Sequence, residues 1–487
     1  MSWAGLNIVR RPGWLMAALL LGYGLAYMTW GERLPRNAGF GWDGQNYRHL
    51  TEHPGEPVEW ISPYSGRRCL PSYAARVVIE AFHLPLRGPV ILQTFAAINL
   101  VLMLATLTTL LACCRALGIS PAGCWLMYTG FFVNYAHLKH YPYAACQTDV
   151  WATAISAGML WAFLTRRPGV ILALMAAGAF VWPILMHVGA IMYVFPRQDC
   201  ADSDGGPRVQ GALATSVGLA ATVTSAILVY VVNSRPVQPD QVIRPLAPLS
   251  IALVGIFLTV GFSSLIAGLT LTDWRQFTPA GGVGRVVAVA VIWMAVEAVQ
   301  SRLDPLYPKP SPFRGGAWDL IRAILLFAAS KPLIFLVAHL AWFGPVVALG
   351  TVYWPSVCRE ARRFGPGLVL LLSGGLVMAL SAESRQCLTF FPAFVLLTVA
   401  AVERSGLGLR HVVPFGGLCL VASRAWLPLN AAAWPDADRP YEWPMQRFFM
   451  GCGYMTTESY AVLGVAGVAS TLGILTIFCH RPASRAG

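Results

Sequence analysis

The residues best suited to chemistry stand in a short polar string, Gly41-Trp42-Asp43-Gly44-Gln45-Asn46-Tyr47-Arg48, soon after the first apolar segment. Asp43 is a carboxylate beside a glycine, and glycine lets another group approach the backbone closely. A carboxylate so placed has the chemistry of a general base. Trp42 offers a face that stacks on a sugar or anchors at a membrane surface. Gln45 and Arg48 add an amide and a guanidinium, and Tyr47 shares a face with Asp43 if the segment turns into helix. The same residues also suit a tight Asp-Gly turn with an interfacial tryptophan.

Three further clusters carry similar promise. Arg67-Arg68, with Tyr64 before them, form a guanidinium pair whose geometry matches phosphate oxygens, or anchors to lipid head groups. His137-Leu138-Lys139-His140 follows a later apolar run, with Asp149 opening the next. Lys139 and His140 can bind phosphate or move a proton, or they can snorkel to an interface. Glu383 and Arg385 sit between two late apolar segments. Charge at a membrane boundary is costly unless it is paired or functional, so they form an ion pair or face a ligand. Glu297 and His339, alone in apolar segments, read as satisfied bundle groups.

What must position these residues is a membrane bundle. The 487 residues are 56% hydrophobic and 12% charged, and mean hydropathy is +0.59. Soluble domains carry about 25% charged residues. The apolar runs are continuous rather than alternating, which excludes a β-barrel and implies helices. Candidate spans are 14–30, 89–112, 122–136, 147–165, 169–195, 210–232, 248–271, 284–301, 317–330, 333–354, 366–382, 387–402, 412–428 and 459–479. With 317–354 either broken at Lys331-Pro332 or made of an amphipathic helix and one span, the count is about 12–14. The chain reads as a single transmembrane domain over residues 1–487. The first span, lacking a small-residue cleavage site, reads as a retained anchor.

Basic residues in short loops set the orientation. Arg10-Arg11, Arg115, Arg166-Arg167, Arg359, Arg362-Arg363, Arg404, Arg410 and Arg481 fall on one side if the spans alternate. That side is cytoplasmic, which places loops 31–88, 137–146, 383–386 and 429–458 outside. Loop 31–88 nonetheless holds arginines at 33, 36, 48, 67, 68, 76 and 87, so these have a use. Residues 71–83 have the amphipathic pattern of an interfacial helix. The net charge of +13 suits anionic lipids or phosphates and gives no reason to invoke nucleic acid. The eleven cysteines show no metal spacing; a Cys69–Cys146 disulfide is one option.

Gly-Trp-Asp43-Gly-Gln45-x-Tyr47 after the first span resembles the D-G-Q-x-Y motif of bacterial integral-membrane glycosyltransferases of the GT-C superfamily. The nearest resemblance is to proteins of cell-surface glycopolymer formation, and the W-D-G core is also similar to mannosyltransferases of glycosylphosphatidylinositol assembly. Pro63-Tyr64-Ser-Gly-Arg67-Arg68-Cys-Leu70-Pro71 is similar to the downstream Y-R-x-x-R-x-L-x-P string of the bacterial group. Glu383-x-Arg385 with Pro392 resembles the E-x-R-F…P string before a late span, with Gln386 where an aromatic is usual. The resemblance implies an all-α GT-C-like helical bundle with an amphipathic first external loop. It implies a polyprenyl-phosphate-sugar donor, a glycan or lipid-linked acceptor, and Asp43 as the catalytic acidic residue. Trp42, Gln45, Tyr47, Arg48, Tyr64, Arg67, Arg68, Lys139, His140, Asp149, Glu383 and Arg385 are then candidates for substrate binding. The superfamily admits an essential divalent metal ion, although no metal-ligand cluster stands in the sequence.

The expected reaction is inverting hexosyl or pentosyl transfer at the outer face of a bacterial plasma membrane. Competing readings are a transporter or flippase of a lipid-linked saccharide, which predicts discontinuous helices and deep polar pairs, and a non-catalytic scaffold.

Overall fold

Long apolar runs impose helices, because lipid offers no partner to a free backbone amide or carbonyl. The computed structural model describes residues 12–41, 43–198, 208–233, 244–270, 279–309, 317–430 and 456–479. Its regular elements are all helical, without a strand among the described residues. The protein is an all-α polytopic membrane protein.

In chain order the helices are α1 (Pro12–Trp30), α2 (Asp43–Glu52), α3 (Pro63–Gly66), α4 (Leu70–Ala81), α5 (Gly88–Ala116), α6 (Pro121–Phe132) and α7 (Tyr141–Tyr143). There follow α8 (Asp149–Leu164), α9 (Pro168–Ala179), α10 (Ile184–Val194), α11 (Arg208–Asn233), α12 (Ala247–Thr270), α13 (Pro279–Leu303) and α14 (Ala317–Ser330). The last are α15 (Ile334–Phe343), α16 (Val346–Val352), α17 (Trp354–Arg363), α18 (Pro366–Met378), α19 (Phe391–Glu403), α20 (Leu409–Ser423) and α21 (Thr457–Cys479).

Among the described residues five helices, α1, α5, α12, α13 and α21, are long and apolar enough to cross a membrane alone. Seven further apolar helices are shorter, at 10–17 residues. Proline explains several of the breaks, since it lacks an amide and clashes with the preceding turn. The segment expected as one span over 169–195 is two helices, α9 and α10, parted at Trp182-Pro183. Helices α14 and α15 meet at 99° across Lys331-Pro332, where Leu333 takes a left-handed conformation. Gly344-Pro345 then separates α15 from α16. Helix α17 is a separate amphipathic segment with arginines in its last turn.

The bundle has two chemically different ends. At one, Glu360 of α17 binds Arg404 at 2.9 Å, Arg197 caps the Leu164 carbonyl of α8 at 2.6 Å, and Gln198 N–H reaches the Phe364 carbonyl. Helices α8 and α19 run from there to the opposite end, which they reach at Asp149 and Phe391. At that end the first loop folds over the bundle as α2, α3 and α4, around a small core of Phe40, Tyr47, Leu50, Ile61, Ile79 and Phe95. Tyr307, beyond α13, joins this core, and Val58 N–H bonds the Leu306 carbonyl at 2.8 Å. The amphipathic segment expected over 71–83 is α4; Val77 on it and Phe82 just past it are exposed. Cys69 and Cys146 are both buried free thiols, so the disulfide is not formed.

Gly66 is where the loop core meets Tyr307: a Cβ there would lie 2.0 Å from the Tyr307 ring. Gly66→Ala is expected to cost about 1–3 kcal/mol by overpacking and to lower the thermal midpoint of the purified protein. Gly169→Ala, which meets nothing within 4 Å, should leave the midpoint unchanged.

Candidate functional site

Asp43 owes its place to a compact turn. Residues 36–41 coil through left-handed conformations at Asn37, Ala38, Gly39 and Gly41, and Asn37 Nδ2 donates to the Gly41 carbonyl at 2.6 Å. Asp43 then opens α2, where a carboxylate is favoured by the helix dipole. Gly44 lets this first turn lie against Cys146, whose Cβ is 3.0 Å from the position a Gly44 Cβ would take. The Asp43 side chain remains 46% exposed.

Arg385 faces it. Its Nη1 is 3.9 Å from Asp43 Oδ2, while Nε and Nη2 donate to Asp149 at 2.7 and 2.9 Å. Asp149 is fully buried at the start of α8, and Arg385 is nearly so. Such a fork-to-fork pair fixes the guanidinium plane and leaves Nη1 aimed at the rim. Glu383, two residues before Arg385, accepts from Gln386 Nε2 at 3.3 Å. Burial pushes the Glu383 carboxyl up, only partly offset by Arg385 and by that hydrogen bond.

Arg68 forms the other wall. Nε donates to the Val181 carbonyl at 3.0 Å, Nη1 to Tyr64 Oη at 3.4 Å, and Nη2 to Thr148. Its guanidinium lies 4.3 Å from the Trp182 ring centroid and 5.8 Å from that of Tyr47. Arg385 lies 5.7 Å from the same Trp182 ring. Two buried guanidinium groups thus share one indole, and cation–π attraction offsets part of their desolvation. Tyr47 is buried, and its hydroxyl has no partner among the described residues.

His140 lies in a π-helical stretch, Ala136–His140, just before Pro142. Nε2 contacts Gln147 Oε1 at 2.7 Å, and the ring lies 4.5 Å from Trp342. Burial pushes the imidazole down to about 4, so it is neutral at pH 7.

The structure brings Asp43, Tyr47, Tyr64, Arg68, Asp149, Glu383 and Arg385 together, with His140 behind them. Other candidates lie apart. Arg67 points the other way: it holds Asp304 through Nε at 2.8 Å and Nη2 at 2.5 Å, with Glu297 at 3.2 Å and Gln300 at 3.3 Å. Arg48 pairs with Glu52 at 2.8 Å and stacks over Phe40. Lys139 pairs with Glu32 at 2.5 Å. Gln45 is exposed on α2. Trp42, and residues 431–455 of loop 429–458, lie outside the described residues. His339 is satisfied by Ser384 Oγ at 2.9 Å and the Ala379 carbonyl at 2.8 Å.

Trp182, Thr148 and Glu32 are the neighbours that the sequence reading did not single out. Trp182-Pro183 in mid-run was the one available signal for the first. Thr148 and Glu32 carry none, because their partners are distant in the chain.

The carboxylates do not make a cradle for a divalent ion. Arg385 takes both oxygens of Asp149 and stands between it and Asp43. Among the described residues no three His, Cys, Asp or Glu side chains are placed to share a metal.

No protein-family model matches the chain, and no curated protein matches it. Among solved structures it is similar to the oligosaccharyltransferase AglB of Archaeoglobus fulgidus in complex with an inhibitory peptide and a dolichol-phosphate. That match has a TM-score of 0.41 and 13% identity, over 96% of this chain and 56% of that one. The apo form of the A. fulgidus oligosaccharyltransferase matches with a TM-score of 0.42 and 13% identity, over 99% and 57%. Its complex with Zn and sulfate matches with a TM-score of 0.40 and 13% identity, over 91% and 58%. This chain therefore spans a little over half the length of the structures it matches. At that identity the chemistry is read from this chain's own residues.

Two outcomes follow from the pairing. Arg385→Leu should destabilise by about 3–5 kcal/mol, because it strands a buried carboxylate; adding Asp149→Leu should recover part of that loss, read by thermal unfolding. Glu383 has a raised folded-state pKa. Its contribution to stability is therefore complete below the ordinary glutamate range and is lost as pH rises through the folded value. Glu383→Gln should remove that decline from the stability–pH curve.

Proposed function

We propose that the chain is a membrane glycosyltransferase that moves a sugar from a polyprenyl-phosphate carrier to a glycan or lipid-linked acceptor at the outer face. The observation that carries this reading is the half-exposed Asp43 with Arg385 Nη1 3.9 Å away, the guanidinium locked from behind by buried Asp149. A base and a fixed cation side by side suit a displacement in which a proton leaves one atom while negative charge builds on another.

Asp43 takes the proton from the acceptor hydroxyl. The acceptor oxygen bonds to the anomeric carbon as the carbon–oxygen bond to phosphate breaks, with inversion, and the lipid phosphate leaves with the electron pair. Arg385 Nη1 is the donor placed to meet that phosphate. Arg68 and Trp182 hold the wall behind it, with buried Tyr47 packed against the Arg68 guanidinium. This assignment moves the phosphate role away from Arg67 and Lys139, whose charges are already paired.

The donor's chain has a suitable neighbour. A cavity of about 330 Å³ lies among α12, α15, α16 and α18, walled by Phe257, Val260, Leu336, Phe343, Leu376 and Phe390. His339, also in its wall, is hydrogen-bonded to Ser384, between Glu383 and Arg385. An apolar cavity beside a charged cluster fits an isoprenoid phosphate better than a nucleotide sugar.

The transporter reading keeps one supporting observation, the broken pair α14–α15. The two readings separate in detergent, where no second compartment exists. Purified protein given a polyprenyl-phosphate sugar and an acceptor lipid should transfer sugar, and Asp43→Asn should lower the rate about 10²–10⁴-fold. Full activity in a well-folded Asp43→Asn protein would remove Asp43 as the base, and absence of transfer with matched substrates would favour transport.

A further inference from the structure

The cavity of about 330 Å³ among α12, α15, α16 and α18 has two distinct ends. At one stand His339, Ala379 and Cys387. His339 is bonded to Ser384, so this end adjoins the segment that carries Arg385. At the other stand Leu372 of α18, Phe394 of α19 and Trp354, the first residue of α17. From Ala379 to Leu372 the chain rises about 10 Å, at roughly 1.5 Å per residue. Trp354 is fixed across that far end, because its Nε1 donates to the Gly261 carbonyl of α12 at 3.1 Å.

The wall limits what can fill it. Its hydrogen-bonding groups are already spent: His339 on Ser384 and the Ala379 carbonyl, Thr351 on the Val347 carbonyl, and Trp354 on Gly261. Among the described residues no Asp, Glu, Lys or Arg lines it. A polar group inside would lose its water and find no partner, so the occupant is hydrocarbon. The lip is formed by Ile256 and Val260 of α12, 58% and 55% exposed. Helix α12 is long and apolar enough to cross the membrane, so the lip faces lipid and the cavity is entered sideways from the bilayer. Rings of Phe257, Phe343, Phe390, Phe391 and Phe394, with Trp354, supply much of the lining. Their faces suit the double bonds and methyl branches of an isoprenoid.

We propose that this cavity holds only the isoprene units of the carrier nearest the phosphate, about two or three of them, and that Trp354 is the stop that sets the number. With main-chain bonds of about 1.5 Å, an extended unit is roughly 5 Å long, so a depth of about 10 Å takes two and leaves a third at the lip. The rest of the chain passes over Ile256 and Val260 into the bilayer. The identity of the carrier rests on the transferase reading; the position of its chain can be measured without any transfer.

The test uses the full chain in nanodiscs and polyprenyl phosphates that carry a photoreactive diazirine on one chosen isoprene unit, with adducts mapped by mass spectrometry. A probe on the second unit should label Leu372, Phe394 and Trp354. A probe on the fifth unit should label Ile256, Val260 or lipid. Unlabelled farnesyl phosphate should compete as well as undecaprenyl phosphate, because units beyond the cavity add no contact with it. Dimethylallyl phosphate should compete about tenfold less, having lost those contacts, and so should a straight saturated alkyl phosphate of farnesyl length. Val260→Trp, on an exposed side chain, closes the lip and should abolish the cavity adducts. Trp354→Leu opens the far end and should bring adducts at Leu372 and Phe394 to a probe on the fourth unit. Asp43→Asn should leave labelling unchanged. Sugar transfer with labelling outside the cavity would overturn this inference alone; cavity labelling without transfer would sustain it and remove the transferase reading. Cavity labelling by probes on every unit, equal competition by the straight-chain phosphate, or full labelling in Val260→Trp would overturn it.

Discussion

A carboxylate with no solvent exposure, at the first residue of an apolar helix, cannot stand alone. Asp149 is held by both ends of the Arg385 fork, and each group makes the burial of the other tolerable. This pair joins α8 to the segment before α19. Because Arg385 is rigid, its third nitrogen has a defined direction, towards Asp43 on the first loop. Trp182 then carries the guanidinium of Arg385 on one contact and that of Arg68 on another, and so draws in the α9–α10 break. The polar centre is built around one buried ion pair, and the elements that meet there are the ones that pair requires.

A second charged node holds the surroundings. Glu32, at the end of α1, accepts from Lys139 and from the amides of Leu429 and Asn430. Burial alone would raise its carboxyl, but Lys139 and these amides outweigh burial and hold it below the usual glutamate range. Asn430 in turn accepts from Tyr143 and donates to the Arg33 carbonyl. The exits of α1 and α20 and the π-helical segment are thereby tied together, which bounds the site on the side away from α13.

Arg67 and Arg68 show how adjacent residues divide two tasks. Following the short α3 turn, one guanidinium reaches Asp304 and Glu297 and fixes the C-terminal end of α13. The other turns inwards to Thr148, Val181 and Trp182. The pair had looked like a single phosphate clamp, since spacing alone cannot show that neighbouring side chains leave the backbone in different directions.

Composition by itself determined a helical membrane bundle, because so few charges over so many apolar residues leave no other way to satisfy a backbone in lipid. The same reading placed Asp43, Lys139, Glu383 and Arg385 in loops on one side, and those loops do meet at one end of the bundle. It did not separate the residues that converge from those that are spent on pairing. Arg48, Arg67 and Lys139 had the right chemistry, but nearby carboxylates took them, and those partners stand up to more than two hundred positions away. Nor did hydropathy resolve where runs break: a proline in an apolar segment bends or parts it only as neighbouring helices allow. Residue type sets which groups are able to act at this surface; tertiary packing alone decides which do so, because a paired group such as Arg385 still acts only where its partner leaves one donor facing the site.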